Sequence, residues 1–281
     1  MISIIIIMKT ERIETKNASY QKFEVLKTNR NKRYRYQEFF VEGVRNINNA
    51  IKNGWEFSAL IYDPTHQMSD WGKEILKTVK CETHYLLSPA LMKEISSKED
   101  TSEILAIIKM KKDNDYNFKL SEKPLLALFD RASNHGNLGT IIRSCDSLGI
   151  EALIMTGHSV DLYDPAVITA SMGSFFNIPV VRAEDQQQVF NYIEDLRKKY
   201  PDLQLVGSTA HKQISINQVD FKKSTILMLG NETEGLCRAY KESCDILATI
   251  PMAESSSASS FNVACAASIM FYEAVRQRKL M

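Results

Sequence analysis

The stretch LLALFDRASNHGNLGTIIRSCDSLG occupies residues 125–149 and joins two different hydrophobic patterns. It opens with the continuous apolar run LLALF, which is typical of a buried strand in a parallel sheet. From about Asn137 onward the apolar residues recur with helical spacing, and Asn is a favoured residue at a helix start. The stretch therefore predicts one strand–helix unit of an α/β fold.

The same alternation continues through the rest of the chain. Apolar runs predict further strands, and the segments between them predict helices. The predicted strands are ALIMT (152–156), IPVVR (178–182), LQLVGS (203–208), TILMLG (225–230) and DILATIP (245–251). Strands that alternate with helices form mostly parallel sheets, in which ligands bind at the carboxyl ends of the strands. Polar residues directly after the strands are therefore the candidates for function.

The first half of the chain predicts a smaller α/β domain. Strand-like runs such as EFFVEG (38–43) and EILAIIKM (103–110) enclose segments such as VRNINNAIK (44–52), which read as helices. A polar stretch without periodicity follows and suits a linker. We predict four parts, namely an apolar N-terminal tail (1–16), a small α/β domain (17–112), a linker (113–123) and a second domain (124–281).

The composition is typical of a globular protein, with 44% hydrophobic and 25% charged residues. The formal net charge is +1, so a polyanion would have to bind at a local patch. The five cysteines include no CxxC pair, which fits a reducing compartment, the cytoplasm, and argues against a disulfide framework. The five histidines form no HxxxH pair, so we predict no metal site. The opening MISIIIIM (1–8) is too short to cross a membrane, and we predict no membrane association.

The first candidate site lies at the start of the predicted helix after LLALF. Arg143 and Gly139 are four residues apart and share a helix face, so the Arg143 side chain leans back over a residue that has no side chain. Its guanidinium could then bind a phosphate beside the exposed N–H groups of the helix start. On this stretch alone, an ion pair of Arg143 with a surface carboxylate such as Asp146 is the alternative.

The second candidate site is GNETEGL (230–236), directly after a predicted strand. Two glycines bracket a turn at which the backbone can approach a ligand closely. Glu232 and Glu234 could accept hydrogen bonds from hydroxyl or amine groups there. The alternative is a helix N-terminus with acidic residues in its first turn, which needs no ligand.

The third candidate site is IPMAESSSASSFNVACAAS (250–268). Pro251 lacks an N–H group and ends the preceding strand, and a serine-rich loop follows. Ser260 and Asn262 stand where the last helix is predicted to begin, and both are also ordinary helix caps.

Taken together, the three stretches resemble the motifs of the SpoU-type RNA ribose 2′-O-methyltransferases of the SPOUT superfamily, in the same order. The resemblance covers roughly residues 124–281, and Phe261 stands where the family commonly has Leu. The loop between Met252 and Ser260 is longer than is usual in the family. The matching residues are Asn137, Gly139 and Arg143 in the first motif, Gly230, Glu232, Gly235 and Leu236 in the second, and Ile250, Pro251, Met252, Ser260, Asn262 and Val263 in the third.

The resemblance implies a cofactor, a topology and an assembly. It implies that the second domain binds S-adenosyl-L-methionine in a deep C-terminal trefoil knot. It also implies that the active site forms at a homodimer interface. The implied cofactor contacts come from the backbone near Thr209, Gly230, Ile250 and Phe261.

The resemblance further implies roles in catalysis for five residues, which are Arg143, Asn137, Glu232, Ser260 and Asn262. An arginine scarcely deprotonates in proteins, so we assign Arg143 an electrostatic role. It would hold the phosphate and stabilise the developing alkoxide, while the other four would position the ribose and the methyl donor.

The N-terminal part resembles the small RNA-binding domain, akin to certain ribosomal proteins, that many members carry. This resemblance favours ribosomal RNA as the substrate, with transfer RNA as an alternative. The basic segment KTNRNKRYRY (27–36) contains two tyrosines and no acidic residue. Phosphate contact with base stacking is one interpretation, and a solvated charged loop is the other. The predicted RNA contacts are Arg30, Lys32, Arg33 and Arg35.

Two further classes of protein stay open at this point. One is a non-catalytic RNA-binding protein that has kept the fold, and it would not bind the methyl donor. The other is an α/β enzyme acting on a nucleotide or small phosphorylated metabolite without RNA, which the basic segment disfavours. The chain has no GxGxxG, GxSxG or GxxxxGK[ST] motif, which argues against a dinucleotide fold, an α/β-hydrolase and a P-loop protein.

Overall fold

A computed structural model describes residues 9–113, 115–211 and 213–279. The chain divides into two compact units. The first unit contains the residues up to Lys111 together with 163–176, and the second contains 112–162 and the residues from Asn177 onward. The domain boundaries drawn from the sequence stay a prediction, and the N-terminal tail in them lies partly outside the described residues.

The helices and strands alternate through both units. The first unit contains β1 (Lys9–Ile13), α1 (Ala18–Thr28), α2 (Arg30–Tyr36), β2 (Glu38–Glu42), α3 (Val44–Lys52), β3 (Phe57–Tyr62), α4 (Asp70–Thr78), β4 (Thr83–Leu87), α5 (Pro89–Ile95), β5 (Ile104–Lys109) and α7 (Pro165–Ser171). The second unit contains β6 (Leu125–Asp130), α6 (His135–Leu148), β7 (Leu153–Thr156), β8 (Val180–Arg182), α8 (Gln186–Lys199), β9 (Gln204–Ser208), β10 (Ile214–Ser215), β11 (Thr225–Leu229), α9 (Arg238–Ser243), β12 (Ile246–Thr249) and α10 (Val263–Lys279).

The second unit is built on a seven-stranded sheet in the order β10-β12-β9-β11-β6-β7-β8. All neighbouring strands in it are parallel, which confirms the predicted α/β fold with a parallel sheet. On β6, Leu126 and Leu128 pack with residues of α8, while Ala127 and Phe129 point to the opposite face and are equally buried. The sheet is therefore covered on both faces, which explains the unbroken apolar run LLALF. The trefoil knot stays a prediction.

The first unit contains a five-stranded mixed sheet in the order β1-β4-β3-β5-β2, in which β5 is antiparallel to both of its neighbours. The segment 163–176 packs into this unit through aromatic residues. The rings of Phe39 and Phe175 lie 5.8 Å apart, and the Trp55 indole N–H donates to the Phe176 carbonyl across 2.9 Å. These contacts explain why a segment from the second half of the sequence belongs to the first unit.

Two segments have structure that the sequence pattern did not indicate. The basic stretch within 27–36 is mostly helix α2 and not a loop, with Asn29 capping its N-terminus. In the predicted linker, the Tyr116 and Phe118 rings pack on Tyr192 of α8, at 4.2 Å and 6.4 Å. This part of the linker is therefore anchored within the second unit by half-buried aromatic contacts.

Among the described residues, no helix is both long and apolar enough to cross a membrane.

Candidate active site

The candidate site lies at the carboxyl edge of the parallel sheet. Strands β12, β9, β11 and β6 are consecutive neighbours in that sheet, and each is followed by residues that the sequence singled out. Thr209 follows β9, Gly230 follows β11 and Ile250 follows β12. Since the strands are parallel, these positions lie along one edge, as predicted from the alternation of strands and helices.

Helix α6 presents Asn137 in its first turn. The helix begins at His135, two residues before Asn137, because the Asn134 side chain accepts a hydrogen bond from the Asn137 N–H and caps the helix. This cap leaves the Asn137 side chain free to reach towards the loop after β11. The sequence had placed Asn137 itself at the helix start.

The loop after β11 is a tight turn closed on itself. Asn231 and Gly235 form an antiparallel bridge with backbone hydrogen bonds of 3.1 and 2.9 Å. A Cβ atom at Gly230 would lie 2.0 Å from the Leu236 backbone nitrogen, so only glycine fits there. Gly235 has a φ of +69°, a left-handed conformation that glycine adopts without strain. Both glycines of the second motif are thus required by the turn.

Four side chains from three separate segments meet between these elements. The Asn137 Nδ2 donates to Glu232 Oε1 across 2.9 Å, and the Asn262 Nδ2 donates to Asn137 Oδ1 across 3.1 Å. The Ser133 hydroxyl donates to the second oxygen of the Glu232 carboxylate. The structure therefore brings together three of the predicted residues and adds Ser133, which the sequence did not single out because an isolated loop serine carries no pattern.

Glu232 is held as a carboxylate in this network. Its partial burial would raise the pKa of the carboxyl group, but the hydrogen bonds donated by Asn137 and Ser133 lower it, and the pKa lies below its ordinary value. A half-buried carboxylate with fixed donors can orient a hydroxyl or amine group of a ligand.

The two acidic residues of the second motif have different partners. Glu234 forms an ion pair with Arg131, which follows β6, and does not join the network around Glu232. The same arginine donates to the Gly235 carbonyl across 2.8 Å. The sequence pattern did not single out Arg131 either, because it resembles an ordinary loop residue there.

Arg143 is exposed on α6, and no hydrogen bond or ion pair engages it in the part of the chain that the structure describes. Asp146, the alternative partner, instead accepts a hydrogen bond from Asn177. The Arg143 guanidinium is therefore available to an anion, as its predicted role requires.

The last motif begins with an open loop and ends at a helix cap. Residues 253–262, including Ser260 and Phe261, are all exposed, and Phe261 is 41% exposed. The Asn262 Oδ1 accepts from the N–H groups of Ala264 and Cys265 and so caps α10. Asn262 thus has two functions, since its other amide atom contacts Asn137.

The predicted RNA contacts in the first unit fall into two groups. Arg30 and Arg35 are exposed and Lys32 is half-buried. Arg33 is only 1% exposed: its guanidinium donates to the carbonyls of Leu26 and Lys27 at 2.9 and 3.0 Å and pairs with Asp164 at 3.0 Å. This placement corrects the prediction for Arg33, because a buried guanidinium with three acceptors is not presented to a phosphate.

Within the described ranges, no cluster of three or more His, Cys, Asp or Glu side chains could hold a metal ion.

Comparison with known proteins gives matches over both halves of the chain. Residues 124–272 match the SpoU rRNA Methylase family, and residues 17–106 match the SpoU L30e-like domain. The chain is 41% identical over 268 residues to the 23S rRNA (uridine(2479)-2′-O)-methyltransferase of Streptomyces viridochromogenes, which covers 95% of this chain and 92% of that protein. It is 27% identical to the 23S rRNA (guanosine(2553)-2′-O)-methyltransferase RlmP of Bacillus subtilis, over 94% of this chain and 96% of that protein.

Solved structures resemble the chain over almost its whole length. The SpoU methyltransferase AviRb from Streptomyces viridochromogenes, in complex with AdoMet, has a TM-score of 0.87 at 40% identity and covers 94% of this chain and 99% of its own. An AdoMet-bound rRNA methyltransferase from Sinorhizobium meliloti has a TM-score of 0.81 at 25% identity, with 97% and 99% covered.

Proposed function

We propose that this chain, which belongs to the SpoU rRNA methylase family, transfers a methyl group from S-adenosyl-L-methionine to a ribose 2′-hydroxyl of ribosomal RNA. The observation that carries the proposal is the hydrogen-bonded network of Asn137, Glu232 and Asn262, because each residue comes from a different motif of the family. Three residues spread over the sequence meet at the edge of the sheet where ligands bind.

Ribosomal RNA is favoured over transfer RNA by the relatives. Two relatives that align over more than nine-tenths of this chain are named as 23S rRNA 2′-O-methyltransferases. The match of residues 17–106 to the SpoU L30e-like domain supports a separate RNA-binding unit in front of the enzyme. Arg30, Lys32 and Arg35 on α2 are the proposed phosphate contacts of this unit.

The residues at the sheet edge fit S-adenosyl-L-methionine by position and kind. Thr209, Gly230 and Ile250 follow three adjacent parallel strands. Their backbone groups therefore lie at the carboxyl edge of the sheet, where they could bind a polar ligand. The exposed Phe261 ring, next to Asn262, offers an apolar surface. When bound, the cofactor supplies a methyl group carried on a sulfonium sulfur.

The chain's own residues would orient the acceptor and balance its charge. Arg143 would bind a phosphate of the RNA beside the N-terminus of α6 and stabilise the negative charge that develops on the ribose oxygen. The Glu232 carboxylate, fixed by Asn137 and Ser133, would accept a hydrogen bond from the ribose hydroxyl and so orient it. Ser260 and Asn262 would position the ribose and the methyl donor, so that much of the rate comes from orientation.

A homodimer in the cytoplasm is part of the proposal. Helix α10, which packs against α6, exposes Ile269 and Tyr272 (37% and 59%), and Phe261 lies exposed just before it. Exposed apolar residues grouped near a site are typical of an interaction surface. Light scattering of the purified protein tests the assembly, and Tyr272→Glu should shift it towards the monomer if α10 forms the interface.

Methyl transfer from labelled S-adenosyl-L-methionine tests the proposed reaction. We expect label in ribosomal RNA at a ribose 2′-oxygen, located by mapping RNA from cells with and without the protein. Arg143→Ala should incorporate label at least about a hundredfold more slowly. Preferential labelling of transfer RNA would select that alternative substrate. Calorimetry without binding of S-adenosyl-L-methionine would instead support a non-catalytic RNA-binding protein.

A further inference from the structure

We propose that Arg131 is a positioning residue of the active site, which acts by tethering the loop 231–235 and thereby fixing the Glu232 carboxylate. The inference rests on the proposed function for its kinetic consequence, but the tether itself is a property of the fold. Arg131 lies directly after β6, whereas Glu232 follows β11. These two strands are neighbours in the sheet, so their ends meet at the same edge.

The side chain of Arg131 spans the gap between the two strand ends. Its guanidinium pairs with Glu234 through one terminal nitrogen and donates to the Gly235 carbonyl through the other, across 2.8 Å. The remaining Nε donates to Asp130 across 3.1 Å. The planar fork is thus engaged on three sides, an arrangement that the ammonium group of lysine cannot reproduce.

The backbone around Arg131 holds the start and the end of the same loop. The Arg131 carbonyl accepts a hydrogen bond of 2.9 Å from the Asn231 side chain, at the start of the loop. The buried Asp130 accepts from the Cys237 N–H across 2.8 Å, just after the loop. Two consecutive residues therefore fix the segment that carries Glu232 at both of its ends.

The conformation of Arg131 is one that the fold must impose. Its φ is +54°, in the left-handed region that residues other than glycine rarely adopt. The side chain passes over Gly157, where a Cβ atom would lie 2.6 Å from Arg131 Cγ. The fold therefore holds Arg131 in an unusual backbone conformation and leaves room for its side chain to reach the loop after β11, which is the geometry that the tether requires.

The two acidic residues of the second motif therefore have different roles. Glu234 fixes the loop through Arg131, and Glu232 is left to meet Ser133 and Asn137. Without the tether, the loop would lose its anchor at Glu234 and Gly235, while its internal bridge, the contacts of Glu232 and Asn231 and the bond from the Cys237 N–H to Asp130 would remain. A shift of about 1 Å at a catalytic group can cost about a hundredfold in rate.

The test compares Arg131→Ala, Arg131→Lys and Glu234→Gln with Arg238→Ala as the control. Arg238 forms an exposed ion pair with Glu242 on α9, so its removal also deletes an arginine–glutamate pair. We expect Arg131→Ala to lower kcat by about tenfold to a hundredfold with little change in KM for RNA. Arg131→Lys and Glu234→Gln should lower kcat less, and Arg238→Ala should leave it unchanged.

A double-mutant cycle distinguishes positioning from a general loss of structure. If Arg131 acts through Glu232, Arg131→Ala should have almost no further effect on kcat in a Glu232→Gln background. Additive losses, an unchanged kcat, or a rise of KM alone would each overturn the proposal. The last of these would mean that Arg131 contacts the RNA directly.

Hydrogen exchange keeps the test independent of the activity. Amides 231–236 should exchange faster in Arg131→Ala than in the wild type, while amides of α8 keep their protection. Unchanged exchange at 231–236 would overturn the tether. If the wild type transfers no methyl group to RNA, the proposed function fails, and the exchange result still decides on the tether. If Arg131→Ala does not fold, Glu234→Gln carries both measurements.

Discussion

The side-chain amide of Asn137 donates to the Glu232 carboxylate across 2.9 Å, although 95 residues separate the two in the sequence. Asn137 lies in the first turn of α6, and Glu232 lies in the loop after β11. The bond therefore joins the segments that follow two neighbouring strands of the sheet. It also leaves the amide oxygen of Asn137 to accept from Asn262, so the three motifs meet through one asparagine side chain.

This relationship predicts that Asn137 controls the ionisation of Glu232. Burial favours the protonated form of Glu232, and the bonds from Asn137 and Ser133 favour the charged form. Asn137→Ala removes one of these donors, so the pKa of Glu232 should rise. The measurement is a carboxyl ¹³C titration by NMR, with Glu232→Gln identifying the signal. Ser144→Ala, on the same helix, serves as the control. A pKa that stays where it is in Asn137→Ala would mean that the bond is not formed in solution.

Arg143 is predicted to act on the transition state and not on cofactor binding. It is exposed, and no partner engages it among the described residues, so its charge is free to meet an RNA phosphate. Arg143→Ala should lower kcat by at least about 100-fold, as for the loss of a key electrostatic donor. Arg143→Lys should also be poor, because a point charge does not replace the planar fork. Calorimetry should show nearly unchanged affinity for S-adenosyl-L-methionine, and unchanged turnover in Arg143→Ala would exclude the role.

The family and the parallel sheet could be predicted because both leave local patterns. Apolar runs such as LLALF mark strands that are buried on both faces, and the predicted resemblance to the SpoU family is confirmed by the matches. The meeting of the three motifs followed from one rule, namely that parallel strands end at one edge. That rule predicts at which edge of the sheet the residues meet, but it does not predict which side chains form hydrogen bonds with each other. The bonds of Asn137 with Glu232 and Asn262 are therefore known only from the structure.

Arg33 and β1 show what local patterns cannot give. Five of the residues from Lys27 to Tyr36 are cationic, and the sequence does not indicate which of them turns inward. Arg33 is buried because its guanidinium satisfies the last carbonyls of α1 and pairs with Asp164, which lies 131 residues away. Strand β1 (KTERI) is polar along an exposed face and is recognisable only by its pairing with β4. Both features depend on contacts that are distant in the sequence.

The cationic residues of α2 should have two different roles, with Arg30, Lys32 and Arg35 binding RNA and Arg33 stabilising the fold. Replacing Arg30, Lys32 and Arg35 together by Ala should weaken RNA binding. It should also reduce the slope of log K against log salt, by up to about 0.9 per lost phosphate contact. Arg33→Ala should instead destabilise the first unit by about 3 kcal/mol or more. It would leave the Asp164 carboxylate without its cationic partner and the Leu26 and Lys27 carbonyls without this donor. Salt titrations of RNA binding and thermal unfolding separate the two effects. An unchanged slope in the triple variant would assign these side chains to a solvated surface.

His84 should make the first unit less stable in mild acid. It is 4% exposed on β4 and burial lowers its pKa below the ordinary 6.5. Its Nε2 has no hydrogen-bond partner among the residues that the structure describes. The unfolded chain therefore binds a proton that the folded chain resists. Stability is full above about pH 6.5 and falls as the pH drops below it, by up to about 1.4 kcal/mol per pH unit.

His84→Gln should remove this slope, since glutamine does not titrate. The only two tryptophans, Trp55 and Trp71, lie in the first unit, so fluorescence-detected urea unfolding reports on that unit. The control is His66→Gln, because the His66 side chain is 55% exposed. If wild type and His84→Gln lose stability equally between about pH 7 and about pH 5.5, His84 is not the group responsible.

The loop 253–260 is predicted to be mobile without ligand and to order around the methyl donor. Its sequence AESSSASS has no large apolar side chain, and every residue in it is exposed. Its hydrogen bonds are local ones, such as Ser256 N–H to the Ala253 carbonyl and Ala258 N–H to Ser256 Oγ. Little burial therefore opposes its chain entropy. The anchor at its far end is Asn262, which caps α10 and reaches Asn137.

Closure of this loop over the donor would fix Ser260 and exclude water from the transfer, which is the role of a lid. Hydrogen exchange with and without S-adenosyl-L-methionine measures it directly. The amides from Ala253 to Ser260 should exchange fast in the free protein and slow down on binding, whereas those of β11 should be protected in both states. Replacing Ser255 and Ser257 by Pro should restrict the open loop and raise kcat or cofactor affinity if ordering opposes closure. Protection of the same amides in the free protein would make the loop a fixed structural element and exclude the lid.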